Sequence, residues 1–128
     1  MRDAERTFTA AGAIAAALAV VCGAFGAHAL RDVLPPPRMI VWHTGVEYHL
    51  THALGLLAVG AFAARHDSRA VSWAGWLLTA GIVLFSGSLY ALALSGVKMI
   101  GLITPFGGLC FIGGWVCLAV AALRRGDA

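Results

Sequence analysis

The sequence predicts an all-α integral membrane protein, a four-helix bundle in which short loops join antiparallel neighbours. Of its 128 residues, 60% are hydrophobic and only 12% are charged, and the mean hydropathy is +0.85. Soluble domains carry about a quarter charged residues. Four apolar stretches are each about 20 residues long, the length that crosses a hydrocarbon core as a helix. This composition excludes a disordered chain and an ordinary water-soluble enzyme, and the length predicts one membrane domain over residues 1–128.

The four predicted spans contain few charged residues and are separated by charged or turn-forming ones. They cover approximately residues 8–30, 43–64, 71–94 and 105–123. Charged residues follow the first, second and fourth spans, at Arg31-Asp32, Arg65-His66-Asp67 and Arg124-Arg125, and Ser95-Gly96 follows the third. Because the connections are short, consecutive helices should be antiparallel neighbours.

Prolines leave two helix boundaries open. Pro35-Pro36-Pro37 cannot lie inside a helix, but a proline suits a first turn, so the second helix can begin near Pro37, outside the membrane. Thr104-Pro105 resembles an N-cap followed by a proline at the first helical position. The alternative is a longer fourth helix from Val97, kinked at Pro105. We favour the cap.

The first span has some features of a secretory signal peptide. Arg2 and Arg6 form a weak positive region, and Ala27-His28-Ala29 fits a cleavage pattern. The apolar stretch of about 20 residues is longer than the usual 7–15 of a signal peptide. We therefore expect a retained span, with cleavage as the alternative.

The distribution of basic residues predicts the orientation. Lysine and arginine collect on the cytoplasmic side of membrane proteins. One side of this chain has six such residues and the other has three. The six are Arg2, Arg6, Arg65, Arg69, Arg124 and Arg125, and the three are Arg31, Arg38 and Lys98. This predicts a multi-pass protein of the bacterial plasma membrane with both termini in the cytoplasm.

Polar side chains within the spans are predicted to lie in one layer near the outer surface. Counted at 1.5 Å per residue from the cytoplasmic edge, His28 lies about 30 Å up, Glu47 about 25 Å and His52 about 18 Å. The hypothetical ligand-binding residues of this layer are His28, Thr44, Glu47, Tyr48, His52, Ser86, Tyr90 and Thr104.

The second helix carries most of this polarity. At 100° per residue, one face contains Thr44, Tyr48, Thr51, His52 and Gly55, whereas Leu50, Leu54 and Leu57 lie opposite and suit lipid. Glu47 lies on a flank. An acidic group at this depth is expensive unless it is paired, so we expect it to face the bundle or reach water. Its candidate partners are His28, Lys98, Tyr90 and the N-terminal end of the fourth helix.

Three interpretations of the layer remain. The groups can satisfy one another and fix helix register, line an outward polar cavity for a small solute, proton or lipid head group, or bind a metal or haem. His49 and His52 do not match a strong zinc pattern, and His28 and His52 differ in depth by about 12 Å, which disfavours haem. We predict no metal and no cofactor. No nucleophile, base and orienting group can be assembled, so we predict no enzyme.

Four motifs, in order along the chain, resemble a known family. They are Gly23-Ala24-Phe25-Gly26-Ala27-His28, Trp42-His43-Thr44-Gly45-Val46-Glu47-Tyr48 with His52, Leu84-Phe85-Ser86-Gly87-Ser88-Leu89-Tyr90, and Thr104-Pro105-Phe106-Gly107-Gly108. Together they look like the YgdD-like family of small inner-membrane proteins, a domain of unknown function, over roughly residues 8–123. The resemblance implies four spans and plasma-membrane residence, and it carries no activity, substrate or cofactor. His43 and His49 are outside the family pattern.

Two function hypotheses follow. The first is a non-enzymatic structural or accessory membrane protein whose polar layer fixes helix packing or docks a partner. The alternative is a small transporter or a solute- or lipid-binding protein with an outward cavity. Under either hypothesis, the expected partners of the protein are membrane lipids and either a second copy of the chain or another membrane protein. Nucleic acid is not expected, because the basic residues form no stripe with interleaved aromatics.

Overall fold

The computed structural model describes residues 3–124, which form helices joined by short connections and contain no β-strand. The helices are α1 (Asp3–His28), α2 (Pro36–Ala63), α3 (Arg69–Gly81), α4 (Gly87–Ser95) and α5 (Thr104–Arg124). A π-helical segment, Ile82–Ser86, joins α3 to α4 without a break, and a 3-10 helix, Lys98–Leu102, precedes α5. The described residues thus form four helical rods, and the all-α prediction is confirmed. Arg2 and Arg125, which were counted for the orientation, lie outside the described residues.

Three of the four rods are long and apolar enough to cross a membrane. They are Asp3–His28, Arg69–Ser95 and Lys98–Arg124. The remaining rod, α2, has 28 residues, about 42 Å at 1.5 Å per residue. Glu47, His49 and His52 lower its hydropathy. It nevertheless has ten buried residues against four in α1, so α2 is the core helix of the fold.

The core lies where α2 and α3 meet. Leu56, Val59, Val71 and Leu78 are fully buried there, together with Phe8 from α1. α1 packs mainly on α2, and α5 packs mainly on α3 and the π-helical segment. The chain therefore folds as two outer rods, α1 and α5, placed against two inner ones.

Glycines allow the rods to approach closely at two contacts. A Cβ atom at Gly12 of α1 would lie 2.9 Å from the Ala53 carbonyl oxygen of α2. A Cβ atom at Gly107 of α5 would lie 2.7 Å from the Phe85 Cα atom. Small residues are expected at such contacts, because membrane helices gain nothing from ordinary hydrophobic burial against each other and associate through close packing.

The proline boundaries differ in outcome. α2 begins at Pro36 with prolines in its first turn, so the helix does start within the proline tract. α5 begins at Thr104, and the 3-10 turn before it rules out a continuous α-helix from Val97. The Thr104 hydroxyl, however, bonds Ser88 instead of capping its own helix. The π-helical segment was not predicted, because hydropathy does not distinguish the i to i+5 hydrogen bonds of a π-helix from the i to i+4 hydrogen bonds of an α-helix.

Candidate functional site

The centre of the polar layer joins α2 to the π-helical segment. Ser86, the last residue of that segment, is fully buried and donates a 2.7 Å hydrogen bond to the Gly45 carbonyl. Gly45 also permits the close approach of Tyr90, because a Cβ atom there would lie 2.8 Å from the Tyr90 ring. The candidate residues Ser86 and Tyr90 therefore both lie against one small position of α2.

A second polar contact joins three rods and includes a residue outside the candidate set. His49 is 5% exposed, and its Nδ1 shares a 2.9 Å hydrogen bond with the Tyr90 hydroxyl. The Ala15 backbone lies within hydrogen-bonding reach of the His49 ring, and the Cys22 thiol lies beside Tyr90. Sequence reasoning missed His49, although it follows Gly45 by one helical turn and therefore shares its buried face.

A hydroxyl pair joins α4 to α5. The Ser88 and Thr104 hydroxyl oxygens lie 2.6 Å apart, and Ser88 also donates to the Phe85 carbonyl at 2.9 Å. Thr104 thus contributes to a contact between helices. Ser88 was part of the family motif but not of the candidate set.

His52 lies in an aromatic environment. Its Nδ1–H donates a 2.7 Å hydrogen bond to the Tyr48 carbonyl, which can only accept. The ring stacks on Phe111 with centroids 3.5 Å apart and an interplanar angle of 11°. Trp115 packs beside it, at a centroid distance of 5.7 Å. With one nitrogen bonded to the backbone of α2 and one face covered by Phe111, the His52 side chain forms part of the contact between α2 and α5.

Three candidate residues do not join this interior. His28 and Glu47 are exposed, and within residues 3–124 Glu47 has no hydrogen bond or ion pair. Tyr48 is 42% exposed, although its ring packs on Phe85. Of the two expectations for Glu47, that it faces the bundle or that it reaches water, the structure does not show the first. Glu47 lies on the outer face of α2, the face that also exposes Leu50 and Leu54.

Thr44 lies between these groups. It is partly buried, and its hydroxyl donates to the Ile40 carbonyl of its own helix at 3.0 Å. The eight candidate residues therefore separate into an inner set and an outer set. Ser86, Tyr90, Thr104 and His52 contact neighbouring helices, whereas His28, Glu47 and Tyr48 are exposed.

Two further side chains at the outer end of α2 were missed as structural contacts. Trp42 Nε1–H donates to the Cys22 carbonyl of α1 at 3.0 Å. Arg38, which served only for the charge count, donates to the Ala93 and Leu94 carbonyls of α4. A tryptophan at a span end is usually assigned to the interface, so hydropathy gave no reason to place Trp42 inside the bundle.

The completely buried polar atoms of the side chains are hydrogen-bonded. Across residues 3–124, no side-chain nitrogen or oxygen that is completely buried lacks a hydrogen-bond partner. The same residues contain no group of three or more His, Cys, Asp or Glu side chains placed to hold a metal ion. The geometry of this layer can hold helices in register.

A lateral groove of about 480 Å³ opens between α1 and the α3–α4 rod. Its walls are mainly apolar and include Ile14, Leu18 and Val83, and His49 and Tyr90 also line it. Tyr90 is the one candidate residue that lines this groove. This groove is therefore different from the outward polar cavity considered above. That cavity would be lined by His28, Glu47, Tyr48, His52, Ser86 and Tyr90.

Comparison with known proteins supplies a family. A family model described as "Protein of unknown function (DUF423)" matches residues 22–108. The chain is 50% identical over 120 residues to the UPF0382 membrane protein YwdK of Bacillus subtilis, covering 93% of this chain and 98% of that protein. It is 49% identical over 119 residues to a UPF0382 membrane protein of Staphylococcus epidermidis, with 93% and 97% covered.

No solved structure matches the chain. The relatives span almost its whole length, and the family model covers both inner polar contacts of α2 with Ser86 and Tyr90. The apolar rods agree with the membrane location that the relatives' names state. The chain is thus an integral membrane protein that belongs to the DUF423 family of unknown function.

Proposed function

We propose that this protein is a non-enzymatic structural or accessory protein of the bacterial plasma membrane. In this proposal its inner polar groups fix the packing of the helices, and the polar outer face of α2 docks a membrane partner. The chain crosses the bilayer four times, as the resemblance to YgdD-like proteins implies, and both termini face the cytoplasm. The length of α2, about 42 Å, is sufficient for the fourth crossing of a core about 30 Å thick.

One observation carries the proposal: the inner polar bonds run from helix to helix. Ser86 bonds the backbone of α2, His49 bonds Tyr90, and Ser88 bonds Thr104. A transport or catalytic site needs polar groups that are free to meet a ligand, and these are already engaged. Glu47, in contrast, is exposed and has no partner within residues 3–124.

A complementation experiment in a strain that lacks this protein tests the proposal. His52→Ala should lower thermal stability but still restore the deletion phenotype when its membrane abundance matches the wild type. Glu47→Leu should leave the stability of the bundle unchanged and weaken complementation, because it removes the docking group. Loss of complementation by His52→Ala at unchanged abundance and stability would contradict a packing role for the layer.

Cysteine labelling tests the four-span topology. Val33 and Met99 are 70% and 75% exposed, one in each connection that should face outward. In a background without native cysteines, Val33→Cys and Met99→Cys should react with an impermeant maleimide in intact spheroplasts. Asp67→Cys, in the connection that should face the cytoplasm, should react only after lysis. Labelling of Asp67→Cys in intact spheroplasts would overturn this orientation.

The lateral groove favours a second function, the binding of a lipid chain. Its apolar walls open between two spans, and Gly87 leaves open space beside it, with no atom within 4 Å of a Cβ placed there. Val83→Trp should fill the groove, since Val83 forms part of its wall. Native mass spectrometry should then show loss of a co-purifying lipid. Equal lipid retention by the wild type and Val83→Trp would remove this candidate.

A further inference from the structure

The exposed face of α2 contains a seven-residue repeat. Thr44, Glu47, Thr51, Leu54, Ala58 and Ala61 follow one another at alternating steps of three and four residues. We name these six residues the α2 seam. All except the partly buried Thr44 are exposed. Residues spaced 3.5 apart on average stay in contact with one partner helix when the two helices form a left-handed supercoil. On a straight helix of 3.6 residues per turn, the same stripe drifts slowly around the helix axis.

The upper part of the α2 seam is polar and unpaired. The Glu47 carboxyl and the Thr51 hydroxyl make no hydrogen bond within residues 3–124, and neither does the neighbouring Tyr48 hydroxyl. Glu47 lies 16 residues before Ala63, or about 24 Å along the helix, so it falls inside a hydrocarbon core of about 30 Å. A carboxyl group at that depth is unfavourable against lipid and calls for a polar partner.

We propose that the α2 seam pairs in parallel with the α2 seam of a second copy of this chain, forming a homodimer about an axis along the membrane normal. This inference rests on the proposed function, because it names the partner that the outer face of α2 docks. A second copy inserts to the same depth, so its matching polar residues meet Glu47 at the required level. A twofold interface also uses the same patch on both subunits, and one sequence repeat therefore serves both.

The repeat specifies which groups meet Glu47. In parallel supercoiled helices each seam residue enters a hole formed by four residues of the facing helix. At the position of Glu47, that hole consists of Thr44, Glu47, Tyr48 and Thr51 of the second copy. The Tyr48 and Thr51 hydroxyls donate to the carboxyl oxygens. The two Glu47 side chains then lie near the axis, each beside the Tyr48 and Thr51 hydroxyls of the other copy.

The lower part of the α2 seam suits close approach. Ala58 and Ala61 are small and exposed, and Leu54 between them and the polar part is 54% exposed. Small residues let membrane helices pack backbone against backbone. The polar part thus specifies register and partner, and the lower part supplies the packing surface.

Disulfide formation in liposomes that contain only the purified protein tests the dimer. Native Cys22, Cys110 and Cys117 are replaced by Ala, and single cysteines are introduced at Thr51, Leu54 and Ala58. Oxidation should give dimers at these three positions. Ile112→Cys, on α5, is the matched control, since Ile112 is 62% exposed on a different helix. Cross-linking at Leu54→Cys no greater than at Ile112→Cys, at equal dilution in lipid, would overturn the dimer.

Association measured by energy transfer between labelled copies gives an independent readout. Ala58→Trp should separate the two seams and weaken association, whereas Ala119→Trp places the same ring at an exposed alanine of α5. Glu47→Leu should raise the dimer dissociation constant about tenfold through the lost polar contacts. Unchanged association of Ala58→Trp and Glu47→Leu would contradict the inference.

Photo-cross-linking in native membranes separates this inference from the proposed function. A photoreactive residue at position 54 should capture a second copy of the chain. Capture of a different membrane protein, and never of the chain itself, would overturn the homodimer and leave the docking face in place. Capture of lipid alone would overturn both.

Discussion

Arg38 closes the end of α4 by donating a 2.7 Å hydrogen bond from Nε to the Ala93 carbonyl. A second guanidinium nitrogen donates to the Leu94 carbonyl at 2.7 Å. The last carbonyls of a helix have no partner in their own helix and carry the negative end of its dipole. Gly96 ends α4 at a φ of 72°, in the left-handed region that suits glycine. A cation from the start of α2 therefore fixes where α4 stops.

Arg38→Lys should lower the stability of the bundle by about 1 kcal/mol, because a lysine cannot hold two carbonyls with a planar fork. Thermal unfolding in detergent, followed by tryptophan fluorescence, measures this change. Arg31→Lys is the matched control, since Arg31 is exposed and has no hydrogen bond within residues 3–124. Equal melting temperatures for the two variants would show that the Arg38 bonds contribute nothing.

Ser86→Ala should destabilise the protein by about 1 kcal/mol, within the range measured for hydrogen bonds between membrane helices. The variant removes the bond to the Gly45 carbonyl at a fully buried position and leaves almost the same volume. Ser72→Ala is the control, because Ser72 is partly buried in the continuous rod and its side chain has no bond in the described chain. Stability equal to that of Ser72→Ala would argue against a packing role for the layer.

Gly107→Ala should cost about 1–3 kcal/mol, the range for overpacking a well-packed interface. The added methyl group would press on the Phe85 backbone, which cannot move without displacing the π-helical segment. Gly108→Ala provides an adjacent control, since its methyl would lie 3.9 Å from the Phe85 ring. The measurement is the midpoint of unfolding for both variants, and a Gly108→Ala midpoint below that of Gly107→Ala would contradict this packing.

Hydropathy alone was sufficient to predict an all-α membrane protein, because lipid solvation is a property of whole segments. The orientation of α2 about its axis was harder to predict. Thr51 was assigned to the inner polar face with His52, and the structure exposes Thr51 and buries His52. In lipid, both the packed face and the outer face of a helix are apolar, so periodicity indicates the packed face only weakly.

The depth of the polar residues was more informative than their direction. Ser86 and Tyr90 were assigned to one level with the polar part of α2, and their bonds to Gly45 and His49 agree with that assignment. Glu47 was expected to face the bundle or reach water because of its cost in lipid, although that cost is equally relieved by a partner outside the chain. Which of the two applies depends on neighbouring helices that the sequence of one helix does not specify.

Tyr90→Phe and Tyr48→Phe each remove one hydroxyl group, and we expect them to have different effects. The Tyr90 hydroxyl bonds His49, which is 5% exposed, so its removal leaves a buried ring nitrogen without that partner and should cost about 1–3 kcal/mol. The Tyr48 hydroxyl makes no bond within residues 3–124, so Tyr48→Phe should leave the unfolding of the bundle unchanged. It should instead weaken association between copies, because the hydroxyl faces Glu47 of the second copy in the proposed dimer.

Unfolding in detergent and energy transfer in liposomes measure the two effects of Tyr90→Phe and Tyr48→Phe separately. A Tyr48→Phe variant that destabilises the bundle as much as Tyr90→Phe, with association intact, would show that both hydroxyls belong to the interior.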